Sequence, residues 1–380
     1  MQPTLDAQEL SAVGKVFDSH WLGRGDVTAA FEKAFAQHLL VPVENLTTIS
    51  TCTEALFLSM RLLGIGEGDD VVLPSISFVG AANAIRAAGA RPVFCDAHAH
   101  SLNTTLAMIQ ESLTMRTRAV ILLHYGGWPC NELSGIAKFL ETTGVFLVED
   151  SACSLATKVG GKATGTFGDI GCWSFDAMKV ITMGNGGAIY CADRRMAQRA
   201  RSLTFLGLTT QSGFGSGAET RWWEFDVADF GRNATIDDLR AAIGLAQLSK
   251  IGQLIERRKQ VHERYNARLA DVEWLRLPPE TKSDGAEQQF RIVQSYYFYW
   301  IQTRDRRVSR DGLAKYLRKH DVYTTFRYYP LHFVEIYNCG YSLPHTEWAA
   351  ANTLLLPQHA GLSDDDVDKI CELVRGYGKY

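Results

Sequence analysis

The feature that most restricts this chain is an alternation running through its first half, in which short, strongly apolar β-branched runs are separated by stretches with helical spacing. "TTIS", "DVVLPS", "RPVFCD", "TRAVILLHY", "VFLVED", "IGCWSF" and "GAIYCA" read as strands, several of them apolar enough to be buried on both faces. Between them "TEALFLSMRLLG", "FVGAANAIRAAGA" and "CNELSGIAKFLETTG" repeat apolar residues at helical spacing and end at glycine. This order predicts an α/β fold, a mainly parallel sheet covered by helices. From about Ile236 the pattern changes to one long helix, "DDLRAAIGLAQLSKIGQLIERRKQVHERYNARL", and then to a mixed segment. With 380 residues the chain exceeds one ordinary core, so two domains are expected: a large one over 1–248 and a smaller C-terminal α+β one over 249–380. "PPETKSDGAEQQ", Pro278 to Gln289, is the predicted mobile surface loop.

Composition removes several classes of function. A formal charge of -3 argues against a nucleic-acid surface, and 46% hydrophobic with 21% charged residues suits a soluble globular protein rather than a membrane one. The start, "MQPTLDAQELSAVGKVF", lacks the basic-then-apolar layout of a signal peptide, and a cytoplasmic protein is expected. The eight cysteines form no CxxC pair, so neither a zinc site nor a disulfide framework is indicated. His98 and His100 in "HAH" have no accompanying ligand cluster and read as a loop, and Trp222 and Trp223 read equally well as packed residues or sugar contacts.

Open parallel sheets bind ligands beyond the carboxyl ends of their strands, which directs the search for chemistry to four places. "ISTCTEAL" leaves a strand and opens a helix, so Thr53 and the amides of Cys52, Thr53 and Glu54 could hold a phosphate, or Thr53 could be a plain cap. "LVEDSACS" ends a buried strand with Glu149 and Asp150, carboxylates suited to pairing with a cationic ligand. Ser174 and Lys179 follow "GCW", and Phe78 follows "VVLPSIS". Each is weak alone. Together they match pyridoxal phosphate, which needs a lysine amine for its Schiff base, an acid for its pyridine nitrogen and a phosphate cradle at a helix N-terminus, with Phe78 placed to stack on the ring.

On "AFEKAFAQHL", the long run from "ISTCTEAL" to "ARPVFCD", "VEDSAC", "GTFGDIGCWSFDAMKVITMGNGGAIY", "GRNATIDDLRAAIGLAQL" and "YYPLH", the sequence resembles the DegT/DnrJ/EryC1/StrS aminotransferases, sugar aminotransferases of the fold-type I pyridoxal-phosphate class. The resemblance implies a homodimer with sites at the subunit interface. It makes Lys179 the Schiff-base lysine and Asp150 the partner of the pyridine nitrogen, with Glu149 next in line. Thr53, its neighbouring amides and Ser174 become the phosphate ligands, joined by Asn233 of "GRNAT" from the neighbouring subunit. The implied reaction is ping-pong transamination from an amino acid, glutamate being the expected donor, to a keto sugar linked to a nucleotide. The sequence departs from the pattern where the family has glutamine, here Cys153, and in "GNGG", where Asn185 replaces glutamate. Arg327 replaces histidine in "RYYPLH", and Thr235 replaces the arginine of "NYRM". Arg327, Tyr328, His332 and Asn185 are therefore the candidate substrate residues, Arg327 reading equally well as a surface cation. A sugar dehydratase, an aminocyclitol aminotransferase and a non-catalytic member of the fold stay open as alternatives; the lysine at 179 points to transamination, because the dehydratases carry histidine there.

Overall fold

The apolar runs pair edge to edge. The structure, a computed structural model, describes residues 2–130, 132–209, 223–279, 291–305 and 307–377. Strands β1 (Leu46–Ile49), β2 (Asp70–Pro74), β3 (Arg91–Cys95), β4 (Thr117–Leu123) and β5 (Phe146–Asp150) are followed by short β6 (Lys158–Val159) and β7 (Lys162–Ala163), then β8 (Ile170–Ser174) and β9 (Gly187–Cys191). Seven of them form one sheet in the order β1-β9-β8-β5-β4-β2-β3. The pairs joining β3, β2, β4, β5 and β8 are parallel, and β9 lies antiparallel to both β8 and β1. The chain passes from β2 to β3 on one side, then crosses back to β4 on the other, so the carboxyl ends of β2 and β4 flank a switch point where a crevice forms.

Helices α1 (Ala7–Asp18), α2 (Asp26–Leu39), α3 (Cys52–Leu62), α4 (Val79–Ala87), α5 (Leu106–Ser112), α6 (Leu133–Thr143) and α7 (Arg194–Leu203) surround this sheet. Strand alternation divides its interior between two faces. Val71, Leu73, Ile121 and Val148 join a core with residues of α3 and α4, while Val72, Val120, Leu122 and Leu147 join one with residues of α5 and α6. Because both faces are covered, the central strands read as continuous apolar runs.

The expected single long helix is two: α8 (Asp238–Ser249) and α9 (Ile251–Leu269), broken at Lys250, whose φ is -106° and ψ 12°. The cause lies far away in sequence. The Lys250 ammonium meets Asp6 Oδ2 at 2.8 Å and Glu9 Oε1 at 2.6 Å, and Gln247 Nε2 donates to Glu9 Oε1 at 2.7 Å, so the start of α1 grips the break. Beyond it come β10 (Leu275–Arg276), β11 (Ile292–Val293), β12 (Tyr299–Thr303), α10 (Arg310–Lys319), α11 (Pro344–Asn352), β13 (Thr353–Leu356) and α12 (Asp364–Tyr377). β10, β12 and β13 form a sheet, and a further core draws its buried residues from Val261 to Val374. β11 instead joins β6 and β7. All of the predicted loop from Pro278 except its two prolines lies outside the described residues, as does Trp222.

Candidate active site

The carboxyl ends of β2, β4, β5 and β8 bring the candidate residues to one edge of the sheet. Asp150, the last residue of β5, is only 2% exposed. Its Oδ1 accepts from the Ala152 N–H at 3.1 Å and lies 4.0 Å from Cys52 Sγ. Among the described residues no group hydrogen-bonds its Oδ2. Burial raises the Asp150 pKa above the usual carboxylate value, against the pull of the Ala152 N–H, Lys179 and His124.

Glu149, one residue earlier, faces the other way and is fully spoken for. Its Oε1 accepts from the amides of Phe167 and Gly168 at 2.6 and 2.8 Å, and its Oε2 from Gly165 at 2.8 Å, with His124 Nε2 at 3.0 Å. An acid saturated by its own chain has no lone pair to offer a ligand, so of the two Asp150 is the available one.

Lys179 sits in the turn after β8, its amide bonded to the Asp176 carbonyl at 2.9 Å. Its Nζ lies 5.0 Å from the centre of the Tyr297 ring. Burial works against the ammonium, while Cys153, Tyr297, Asp150 and Cys52 work for it, and the balance holds its pKa above the ordinary lysine value. Tyr297, fully buried, comes from the irregular segment before β12. Sequence reasoning missed it; the only signal is the aromatic run "SYYFYW".

The helix start behind this pair is built differently from the expected one. The cap of α3 is Thr51, whose Oγ1 accepts from the Glu54 N–H at 2.9 Å, and the Thr51 carbonyl accepts from Ala55. Glu54 is therefore no amide donor to a ligand, and its carboxylate pairs with Arg232 at 3.1 Å. Among the described residues the Cys52 and Thr53 amides carry no such bond, and they remain at the positive end of the helix. Gly187 keeps this end accessible to the sheet, because a Cβ there would lie 2.6 Å from Cys52 N. Thr53 Cγ2 and the Phe78 ring both approach Gly80, at 3.3 and 3.0 Å from where a Cβ would stand, so these two residues are neighbours, with Phe78 45% exposed. Ser174 closes β8, its Oγ accepting from the Asp176 amide at 3.3 Å.

Other candidates fall in three groups. Cys153 is buried with its Sγ 3.7 Å from the Tyr328 hydroxyl, and burial raises its pKa against the pull of Lys179. The Tyr328 ring packs against Phe78 at 5.9 Å, and Arg327 Nη2 reaches Met178 Sδ at 3.6 Å, so both belong to the rim of the same site. His332 is buried with both ring nitrogens engaged, Nδ1 by Ser75 Oγ at 2.7 Å and Nε2 by Glu347 Oε1 at 3.3 Å. Both contacts tie it to the turn. Asn185 and Asn233 are exposed on this chain, and Asn233 precedes α8 by several residues. His100 belongs elsewhere, its Nε2 meeting the Leu277 carbonyl at 2.7 Å.

These residues fit pyridoxal phosphate. Open amides at a helix start suit its phosphate, a buried acid with a free oxygen suits its ring nitrogen, and a lysine lies within electrostatic reach of that acid. The buried hydroxyls of Ser77 and Ser151, each adjacent to a site residue, have no partner among the described residues.

Comparison with known proteins agrees with the geometry. The profile of the DegT/DnrJ/EryC1/StrS aminotransferase family matches residues 3–375. The chain is 46% identical over 372 residues to dTDP-4-dehydro-2,3,6-trideoxy-D-glucose 4-aminotransferase of Saccharopolyspora spinosa, covering 98% of this chain and 94% of that one. It is 49% identical to the crystal structure of the aminotransferase TlmJ from Streptoalloteichus hindustanus, with a TM-score of 0.92 over 100% of this chain and 98% of that one. The fold is shared with the sugar aminotransferase Spr1654 of Streptococcus pneumoniae, described as putative and solved in its PLP form, at 23% identity and a TM-score of 0.88 over 100% and 97% of the chains.

Proposed function

The chain belongs to the DegT/DnrJ/EryC1/StrS aminotransferase family, and from that premise we propose that it moves an amino group from glutamate to the ketone of a nucleotide-linked sugar, using pyridoxal phosphate. The observation that carries this reading is the meeting of Lys179, Asp150 and the open amides of α3 at one edge of the sheet.

When bound, the cofactor supplies the ring that accepts the electron pair left on a carbon losing its proton, and it stores the amino group between the two substrates. The amides of Cys52 and Thr53, with the hydroxyls of Thr53 and Ser174, would hold its phosphate. Asp150 would keep its ring nitrogen protonated, since a buried carboxylate with raised pKa gains most from an adjacent cation. Phe78 would cover one face of the ring, and Cys153 would lie on its rim. The Lys179 amine would take the α-proton of the donor and hold it for the return transfer that completes the amino exchange, and would serve the sugar in the reverse direction. The lysine at 179 favours this reaction over dehydration.

Asn233 is assigned to the partner subunit's phosphate in a homodimer. Exposed apolar side chains run up to it, including Phe205, Phe225, Val227 and Phe230, the last 89% exposed, as befits a surface covered by a second copy. Lys179→Ala and Asn233→Ala, each impaired alone, are expected to regain activity when mixed under subunit exchange, because one site of the mixed dimer is then intact. An active monomer by light scattering would rule the shared site out. A domain boundary near Leu248, beside the break at Lys250, and a cytoplasmic location, in keeping with the eight free cysteines, belong to the same proposal.

The test is an assay of purified protein with glutamate and a panel of nucleotide keto sugars, read by mass spectrometry of the sugar. A gain of an amine on one of them is expected; no amination of any of them would overturn the acceptor class.

A further inference from the structure

We infer that Arg327 binds the α-carboxylate of the amino donor, an assignment that rests on the transamination proposed above. The segment carrying it is fixed at four consecutive residues. Thr325 exchanges backbone hydrogen bonds with Leu355 at 3.3 and 2.7 Å. Phe326 lies under the Arg310 guanidinium at 5.9 Å. The Arg327 carbonyl accepts from the Tyr125 hydroxyl, and Tyr328 is held by Cys153 and Phe78. Backbone pinned this closely lowers the ordering cost when its side chain meets a ligand.

The guanidinium is poised but not neutralised. Among the described residues its Nη2 finds the soft, uncharged sulfur of Met178, the residue before Lys179, and no carboxylate pairs with it. Its charge is felt inside the site: burial raises the pKa values of Cys153 and Tyr297, and Arg327 works against that rise at both. Of the acids around the reacting lysine, Glu149 is saturated by its own loop, Asp150 is buried at the end of β5, and the Asp176 carboxylate accepts from the Met178 amide at 3.0 Å; among the described residues none of them pairs with Arg327. A planar guanidinium with parallel donors matches a carboxylate fork to fork. The reaction brings in two kinds of anion, the donor's carboxylates and the diphosphate of the sugar nucleotide. Only the α-carboxylate is one bond from the carbon that loses its proton to Lys179; the diphosphate is separated from its reacting carbon by the sugar ring.

Glutarate, a dicarboxylate that has no amine and cannot react, separates this assignment from turnover. Calorimetry with the cofactor-loaded protein is expected to show glutarate binding weakened by about 10- to 100-fold in Arg327→Gln, and by less in Arg327→Lys, which keeps charge but loses the fork. Stopped-flow of the separate half-reactions should show Arg327→Gln slowed with glutamate and unchanged with the keto sugar. Wild-type glutarate binding in Arg327→Gln overturns the assignment, and a defect confined to the sugar half-reaction hands Arg327 to the diphosphate. Should Arg327→Gln not fold, Arg327→Lys carries the test, and wild-type glutarate binding there overturns it. If no keto sugar is aminated, the acceptor reading fails while the glutarate result still stands.

Discussion

Glu149 and Asp150 are consecutive residues on one strand end, both carboxylates, both out of solvent, and their surroundings differ completely. On the Glu149 side the chain supplies three amides and His124. On the Asp150 side it supplies one amide and a distant thiol, and leaves an oxygen unbonded among the described residues. Period-two alternation sends the two side chains to opposite faces, so one residue's shift in register decides which is satisfied by the chain and which is left open. A buried acid satisfied by its own chain reports on the fold; a buried acid left partly unsatisfied, next to a lysine, reports on a ligand.

Asp150→Asn keeps the shape of the site and removes the charge proposed to hold the ring nitrogen protonated, so turnover should fall by about 100- to 1,000-fold, measured at saturating cofactor. Near wild-type turnover would reassign the acid. Glu149→Ala should act on folding instead. It strands three amides and a buried histidine, with an expected loss of about 3 to 5 kcal/mol in urea unfolding.

The same pair separates in the cofactor-free protein. Burial raises the folded-state pKa of Asp150, so the folded chain binds its proton more tightly than the unfolded chain, and stability drops as pH climbs from the ordinary carboxylate value through the raised one. Above the raised value that penalty is fully present. Asp150→Asn should therefore make the cofactor-free protein at least as stable as wild type in thermal unfolding, and a clear loss of stability would mean that the carboxylate is structural. Asp271, on the surface beside Arg375, has the opposite sign: its pKa is lowered to about 2, its contribution is present above the ordinary carboxylate value, and it is lost as pH falls through the lowered one. The smallest effect is expected on that face, where Arg264 and Arg268 share Asp368. Arg264→Ala should leave turnover unchanged and lower the melting temperature only slightly, a difference that vanishes in high salt.

The strands of the main sheet were legible in the sequence because both of their faces are buried, which writes itself as unbroken apolar runs. That Lys179, Asp150 and Ser174 gather at one edge of the sheet was legible because all three stand at or just beyond the carboxyl ends of its strands. What escaped depends on contacts across the chain. The break at Lys250 is set by Asp6 and Glu9, and no local pattern around Lys250 announces them. Thr51 and Thr53 are equally good caps by residue type, and only the backbone shows that the first caps α3 and occupies the Glu54 amide. Tyr297 reaches Lys179 from an irregular segment, and His332 is engaged by partners at β2's end and on α11.

The most direct test of the account is chemical trapping. Borohydride reduction of the cofactor-loaded protein, followed by peptide mapping, should place a single cofactor adduct on Lys179, with Lys179→Ala giving none and turning over on the order of 10⁴-fold more slowly. An adduct on any other lysine, or full turnover by Lys179→Ala, would contradict it.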